Sequence, residues 1–483
     1  MSAKSLHGVG GYLPLLRFEQ ATAKSELRWA GLGGSGRGRR AVAGWDEDAL
    51  TQAVEAARLV LDAGAAGSIS RVTFASTSAP FLDRSQAGIL VDALQLDPFV
   101  DALDVAGTRR CAVAALLRAL QSTTEGLELI AAGEKRQARP GGGPHLTWGD
   151  GGAAALVGEG PGVARLLGAA SINRDLLDSY TTAGIGLPYV TEERFVRDSA
   201  VAEVYAPVIR RAMAAAGVQG SDIALAVVPE PVAGTYAAVS RPLGLKAPNI
   251  CSDIAVEAGD LGAAMPLFGL GLALERSVPG DRLLLVGFGN GAEALILEVT
   301  ATVREKLTAQ ALAEGQPLRN YSRFLSLTGM LPLEWGPRAE VNQKTNASVL
   351  ARHGREMHGF VGGRDERGNV QFPKTPMPVS PDSTGPEDYV DVVLRDVPAQ
   401  VASITADRLN FTPDPPFYFG LVQFENGARV AMEICDVEGN TPAVGDPLRM
   451  RFRIKAIDRQ RDFRTYFWKG APAKRSVSAR EKV

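Results

Sequence analysis

The sequence is poor in the residues that staple, chelate or anchor a protein. Its 483 residues include three cysteines, Cys111, Cys251 and Cys435, far apart and without a C-x-x-C pair. That excludes a disulfide framework and fits a reducing compartment. There are four histidines, His7, His145, His353 and His358. No surplus charge exists either: 52 Lys and Arg stand against 54 Asp and Glu, for a net −2. Such a balance argues against nucleic-acid or membrane-surface binding through bulk charge. The best apolar run, around Leu283–Phe288, is strand-sized and far short of a membrane span. The first residues, MSAKSLHGVGGYLPLLRF, have a weak basic region and no apolar core of a signal peptide. The expectation is a soluble, cytoplasmic protein with no nucleic-acid or membrane partner.

What the sequence does have is glycine: 53 residues, about 11% against a usual figure of about 7%. Excess glycine points to tight turns and close backbone approaches. The length corresponds to roughly three domain-sized units, and a chain of this size buries enough core to need no staple.

Up to residue 300, strand-like and helix-like segments alternate. Residues 48–62 carry Leu50, Val54, Ala57 and Val60 at helical spacing, and Gly64 and Gly67 stop that helix. Strands are expected at 69–77, 99–107 and 127–134. Helices are expected at 84–95 and at 111–120, the latter apolar and Ala-rich. A glycine turn then leads into a strand within 147–160. The order recurs: helix 201–217, strand 223–231, helix from 235 to about Pro242, small-residue helix 261–275, then strand, glycine turn, strand over 281–299. GSISRVTFAST pairs with GSDIALAVVPE, and GDGGAAALVGE with GFGNGAEALILEV. This is a duplication of two α/β units, about 1–165 and 166–300, each expected to hold a largely parallel, helix-covered sheet.

Residues 301–397 are polar and rich in Pro and Gly, and read as a linker. From about 398 to 471 five short strands follow, and Asn426-Gly427 marks a hairpin between two of them. That density of strands fits a small β-barrel such as an OB fold. Residues 472–483 read as a disordered tail.

The stretches EDALTQAVEAA, VTFASTSAPFLDRS, GDGGAAALVG, DSYTTAG with EERFVRD, and GFGNGAEALIL resemble the thiolase superfamily, in its hydroxymethylglutaryl-CoA-synthase-like and ketoacyl-synthase-III-like branch. ASITADRL, FENGARVAMEICD, VGDPLRMRFR and YFWK resemble the OB-fold accessory domain that accompanies some thiolases, elsewhere preceded by a zinc ribbon. The resemblance implies an α/β fold of five layers, α-β-α-β-α, followed by the barrel. It also implies a homodimer, a possible partner thiolase subunit, and an acyl-CoA or acyl-carrier-protein thioester as substrate, with no bound cofactor. Family chemistry makes or breaks carbon–carbon bonds with a cysteine at a helix N-terminus, a glutamate or histidine that moves the proton, and backbone donors for the oxyanion.

This sequence departs from that set. Counting back seven positions from Leu116 to the nucleophile lands on Arg109; Cys111 comes two residues later. Beside Asp83-Arg84-Ser85, the family glutamate position falls near Thr77. The histidine position reads Pro229-Glu230-Pro231, and His145 reads as a surface-loop histidine. Residues 352–380 contain no cysteine, so no structural zinc is expected.

Two enzymatic readings follow. One is carbon–carbon chemistry β to a thioester by enolate stabilisation, with Glu230, Tyr180, Tyr189 or Tyr236 as base; the other is acyl transfer on Cys111. A third reading is a non-catalytic thioester-binding or scaffold subunit. Arg109 and Arg110 open a helix whose dipole disfavours cations there. They require an anionic neighbour, either a ligand group or an internal carboxylate such as Asp104. Thr77 and the turn Gly289-Asn290-Gly291 complete the candidate substrate-binding residues.

Overall fold

Nine strands of the N-terminal unit join edge to edge. In chain order they are β1 (Lys4–Tyr12), β2 (Ile69–Ala75), β3 (Asp101–Val105), β4 (Leu127–Glu134), β5 (Gly151–Glu159), β6 (Ala164–Asn173), β7 (Ile223–Val227), β8 (Arg282–Phe288) and β9 (Gly291–Val299). Their spatial order is β7-β8-β9-β6-β1-β5-β4-β2-β3. The structure, a computed structural model, describes residues 4–61, 68–182, 185–340, 346–382 and 388–473.

The duplication is visible in this order. In the first half β1-β5-β4-β2-β3 are neighbours, and in the second β6-β9-β8-β7. An isolated parallel bridge from Ala226 to Asn249 stands where β3 stands in the first half. The expectation of one largely parallel sheet per half needs correction. Parallel pairing is confined to β2 with β3, β2 with β4, and β7 with β8, while the other five pairings are antiparallel. The reason lies in the connections. A short glycine turn between β8 and β9 can only reverse the chain, whereas parallel neighbours need a helical crossover. The halves are also joined: Ser5 and Leu6 of β1 pair with Arg165 and Ala164 of β6.

Five helices complete the layers: α1 (Ala49–Arg58), α2 (Cys111–Leu120), α3 (Ala206–Ala216), α4 (Ile250–Glu257) and α5 (Met265–Arg276). α1 packs on β4 and β5, and α3 on β6 and β9. α2 and α5 each pack on strands of both halves, so they form the central layer of an α-β-α-β-α stack. Their composition suits that place. Leu267, Leu270, Leu272 and Leu274 of α5 are all essentially inaccessible, each contributing about 1.5–3 kcal/mol. Close approach also demands glycine: a Cβ on Gly287 would lie 2.7 Å from the Val113 side chain. At its start, α1 is held by a capping box between Asp48 and Thr51.

The chain divides between Leu331 and Pro332, and two short pieces, Trp45–Glu47 and Asp92–Gln95, group with the second unit. The segment read as a linker is built. It carries helices Leu307–Ala313 and Tyr321–Leu327 on one side of that division, and α6 (Asn346–Gly359) with a small sheet of Val361–Arg364, Val370–Gln371 and Val390–Val393 on the other. The strands β10 (Ala399–Val401), β11 (Phe417–Phe424), β12 (Arg429–Glu433), β13 (Pro447–Asp458) and β14 (Phe463–Pro472) follow. They neighbour one another as β12-β11-β10-β13-β14. A parallel bridge from Ile434 to Gly470, with Cys435 N donating to Gly470 O at 2.8 Å, returns the end of β12 to β14. The strands thereby form a closed circuit around Phe424, Phe452, Tyr466 and Trp468, all buried. β14 runs to Pro472, and the rest of the expected tail, from residue 474, lies outside the described residues.

Candidate functional site

The mouth of α2 is pressed against the turn between β8 and β9. Thr108 Oγ1 donates to Gly289 O at 2.6 Å. A Cβ on Gly289 would lie 2.3 Å from Thr108 Oγ1 and 3.0 Å from Arg109 N, so only glycine fits. The Gly289 N–H is used inside the turn, donating to Gly291 O at 3.0 Å. Asn290, at φ +50°, directs its side-chain amide to Asp175.

Cys111 is the first residue of α2 and is 4% exposed. Burial pushes its thiol pKa up, and the negative charge of Glu134 pushes it further. Glu134 ends β4 and is fully buried. Its carboxylate accepts from Thr77 N at 2.8 Å, Thr77 Oγ1 at 2.9 Å, Ser78 Oγ at 2.6 Å and Ala263 N at 3.3 Å. A carboxylate thus reaches Thr77 from the neighbouring strand.

Arg109 and Arg110 find internal carboxylates. Arg109 pairs with Asp178 and lies 3.8 Å from Asp260. Arg136 reaches Asp260 at 3.2 Å and lies over the Trp148 ring at 4.2 Å. Burial alone would raise the pKa of Asp260, but Arg136 and Arg109 overcome it and hold the carboxyl below its ordinary value. Arg110 pairs with Glu293 at 3.1 Å and donates to Ile172 O. Asp104, the partner suggested by sequence, instead accepts from the backbone N–H groups of Gln86 and Ala87. Its strand position faces the start of the helix Gln86–Leu94, whose free N–H groups attract a carboxylate.

Glu230 is fixed on the other side of the site. Its carboxylate accepts from Tyr236 N at 3.0 Å, Ser252 Oγ at 3.3 Å and Asn249 Nδ2 at 3.5 Å. Tyr236 spends its hydroxyl on Ala247 O, and burial, then Glu230, pushes its pKa up to about 12. Tyr205, fully buried, donates to Pro229 O at 2.6 Å. Burial raises its pKa, and it feels the charges of Arg109, Asp178 and Glu230. The buried Cys251 thiol is likewise raised by burial, then by Asp260 and Glu230. Tyr205 and Cys251 therefore connect the Arg109 side of the site electrostatically with Glu230.

Tyr180 stands apart on a hairpin of Ser179–Thr182 with Ile185–Val190, 46% exposed and 5.6 Å from Tyr189 between ring centroids. His145 is not a surface residue. It is 1% exposed, with Tyr321 Oη 3.3 Å from Nε2 and Arg40 donating to its carbonyl at 2.7 Å. The loop that carries it folds into a short helix, Gly143–Thr147, and packs the ring against Phe324. Among the described residues no group of three or more His, Cys, Asp or Glu side chains could hold a metal ion. No described helix is long and apolar enough to cross a membrane.

Sequence reasoning missed Glu134, Arg136, Asp178, Tyr205, Cys251 and Asp260 as members of this site. Asp178 opens the DSYTTAG stretch and Asp260 directly precedes the small-residue segment of α5. For Asp260, an acidic residue leading into a buried helical segment was the available signal.

No family model matches the chain. Curated relatives do. The hydroxymethylglutaryl-CoA synthase of Pyrobaculum neutrophilum is 28% identical over 309 residues, covering 61% of this chain and 87% of that protein. The hydroxymethylglutaryl-CoA synthase of Aeropyrum pernix is 27% identical over 357 residues, covering 71% and 95%. Among solved structures, a hydroxymethylglutaryl-CoA synthase complexed with CoA superposes with a TM-score of 0.56 at 18% identity, covering 66% of this chain and 88% of that one. The 3-oxoacyl-(acyl carrier protein) synthase III of Pseudomonas aeruginosa PAO1 gives 0.54 at 20% identity, covering 63% and 100%. The duplicated five-layer fold with a glycine turn at the mouth of a central helix is the thiolase-like fold shared with these two solved structures. In sequence the chain is similar to hydroxymethylglutaryl-CoA synthases, and in fold to these and to 3-oxoacyl-(acyl carrier protein) synthase III.

Proposed function

We infer that this protein makes or breaks a carbon–carbon bond β to an acyl-CoA or acyl-carrier thioester, and does so without an acyl-enzyme. One observation carries the reading. The thiol at the helix mouth is buried and feels the charge of Glu134, which disfavours the thiolate, while the preceding Arg109 sets its backbone N–H against Gly289 and its guanidinium between Asp178 and Asp260. In the cleavage direction Glu230 takes the β-hydroxyl proton and the Cα–Cβ bond breaks. The hydroxyl carbon becomes a carbonyl, and the electron pair forms a thioester enolate that is then protonated. Arg109 supplies positive charge for the enolate oxygen. The acyl-transfer reading on Cys111 has no comparable support, since a thiol so placed is a poor nucleophile.

Relatives and fold neighbours motivate the thioester. They include hydroxymethylglutaryl-CoA synthases and a structure of one complexed with CoA. The C-terminal strand circuit supports an OB fold, because its order along the ring, β10-β11-β12-β14-β13, is that of a five-stranded Greek-key barrel. Edge strand β3 leaves Leu103 54% exposed and Phe99 beside it 94% exposed, which supports a homodimer. A scaffold role is favoured by one fact: Arg109 already has two carboxylates.

The test incubates the full chain with β-hydroxyacyl-CoA substrates. Product ketone or aldehyde with an unmodified intact mass supports the reading. An acyl adduct on Cys111 overturns it in favour of acyl transfer. Thioester binding without turnover overturns it in favour of the scaffold.

A further inference from the structure

A second concave site lies wholly within the C-terminal unit. It is a cavity of about 400 Å³, roofed by α6 through Val349, Leu350 and Met357 and walled by Trp45, Phe411 and Phe417. Its size and aromatic lining are those of a small-molecule site. Its polar border is Asn346, Thr412, Glu433, Lys455 and Thr465, and their state defines what it takes.

Two are nitrogen donors. The side-chain Nδ2 of Asn346 is buried without a hydrogen-bond partner among the described residues. Lys455 borders the same cavity, 46% exposed, with its ammonium on Glu433 Oε1. Glu433 has no oxygen to spare, since Oε2 takes Lys469 at 2.6 Å. Lys469 is itself shared with Asp46 at 3.0 Å and lies 4.3 Å from the Trp45 ring centroid. The four charges of Asp46, Glu433, Lys455 and Lys469 therefore cancel. A charged ligand would leave this balanced cluster with an uncompensated charge. A neutral ligand would not, and an acceptor on it would satisfy the orphaned Asn346 donor.

We propose that this cavity is a binding site for an uncharged compound with a compact apolar body and one carbonyl acceptor, of the amide or ester class. The apolar body packs between Trp45, Leu350 and Phe417, and the carbonyl oxygen accepts from Asn346, with Lys455 as the second donor at the rim. Nothing in the inference depends on the chemistry at α2.

The test uses three probes of one shape, phenylacetamide, phenylacetate and phenethylamine, titrated into the full chain by calorimetry. Phenylacetamide is expected to bind at least tenfold more tightly than either charged probe. Asn346→Leu, half-buried and near-isosteric, should weaken the amide at least fivefold, and Leu350→Trp should abolish binding by filling the cavity. Circular dichroism and Tm establish that both variants fold. Equal or tighter binding of phenylacetate or phenethylamine overturns the proposal, as does amide binding unaffected by both variants. No detectable binding of phenylacetamide overturns it too.

Discussion

Arg109 and Asp178 form an ion pair at the mouth of the central helix, with side chains only 16% and 12% exposed. A cation at a helix N-terminus opposes the helix dipole. Asp178 and, at 3.8 Å, Asp260 offset that conflict. The mouth thus holds a guanidinium already paired with carboxylates beside a buried thiol.

The cysteines should be silent. Burial raises the thiol pKa of Cys111, Cys251 and Cys435 alike. Ellman's reagent at pH 7 is expected to titrate none of them in the native protein and all three after unfolding. Fast reaction of Cys111 would contradict its burial.

Glu230→Gln keeps the shape and most of the hydrogen bonds of the carboxylate. If Glu230 is the base, the variant should lose about 10²–10⁴-fold in kcat on a β-hydroxyacyl thioester, with Tm nearly unchanged. A kcat within a factor of three of wild type would remove Glu230 from the mechanism.

Gly289→Ala drives a Cβ into Thr108 Oγ1 at 2.3 Å. Overpacking of this kind costs about 1–3 kcal/mol. Urea unfolding should report that loss, and kcat should fall with it because the turn and helix mouth separate.

Buried His145 has its pKa depressed from 6.5 to about 4 by burial and then by Arg40. The folded state keeps the ring neutral, whereas the unfolded chain binds a proton below pH 6.5. Stability should therefore fall as pH drops from 6.5 towards 4, by roughly 2–3 kcal/mol from this group. Comparison of urea midpoints across that range with those of His145→Phe should show a shallower slope in the variant.

If the exposed edge of β3 is a dimer contact, Leu103→Asp should convert a dimer into a monomer. Light scattering on the eluting peak reads this directly. An unchanged mass would place the contact elsewhere.

Much of the fold was legible because it rests on local signals. The Ala-rich run 111–120 could only be a buried helix, the glycine turn 289–291 marked a hairpin, and Asn426-Gly427 marked another. What escaped depends on partners distant in the chain. The β1–β6 junction is made by two residue pairs with no sequence signature. α6 hides in a polar segment because only its last residues, His358 and Gly359, are buried. At the candidate site, Arg109, Glu230 and the glycine turn were named from the sequence, but Asp178, Asp260 and Glu134 enter from separate strands and loops, and a carboxylate leaves no periodicity to read.

The bridge from Ile434 to Gly470 carries a consequence for biosynthesis. The strand circuit is closed by Phe463–Pro472, and the unit also includes Trp45–Glu47, far earlier in the sequence. Neither piece can be satisfied until synthesis has passed Pro472, and contacts so distant in sequence form slowly. A nascent chain stalled before Phe463 would expose the aromatic residues of the unclosed circuit to chaperones and proteases.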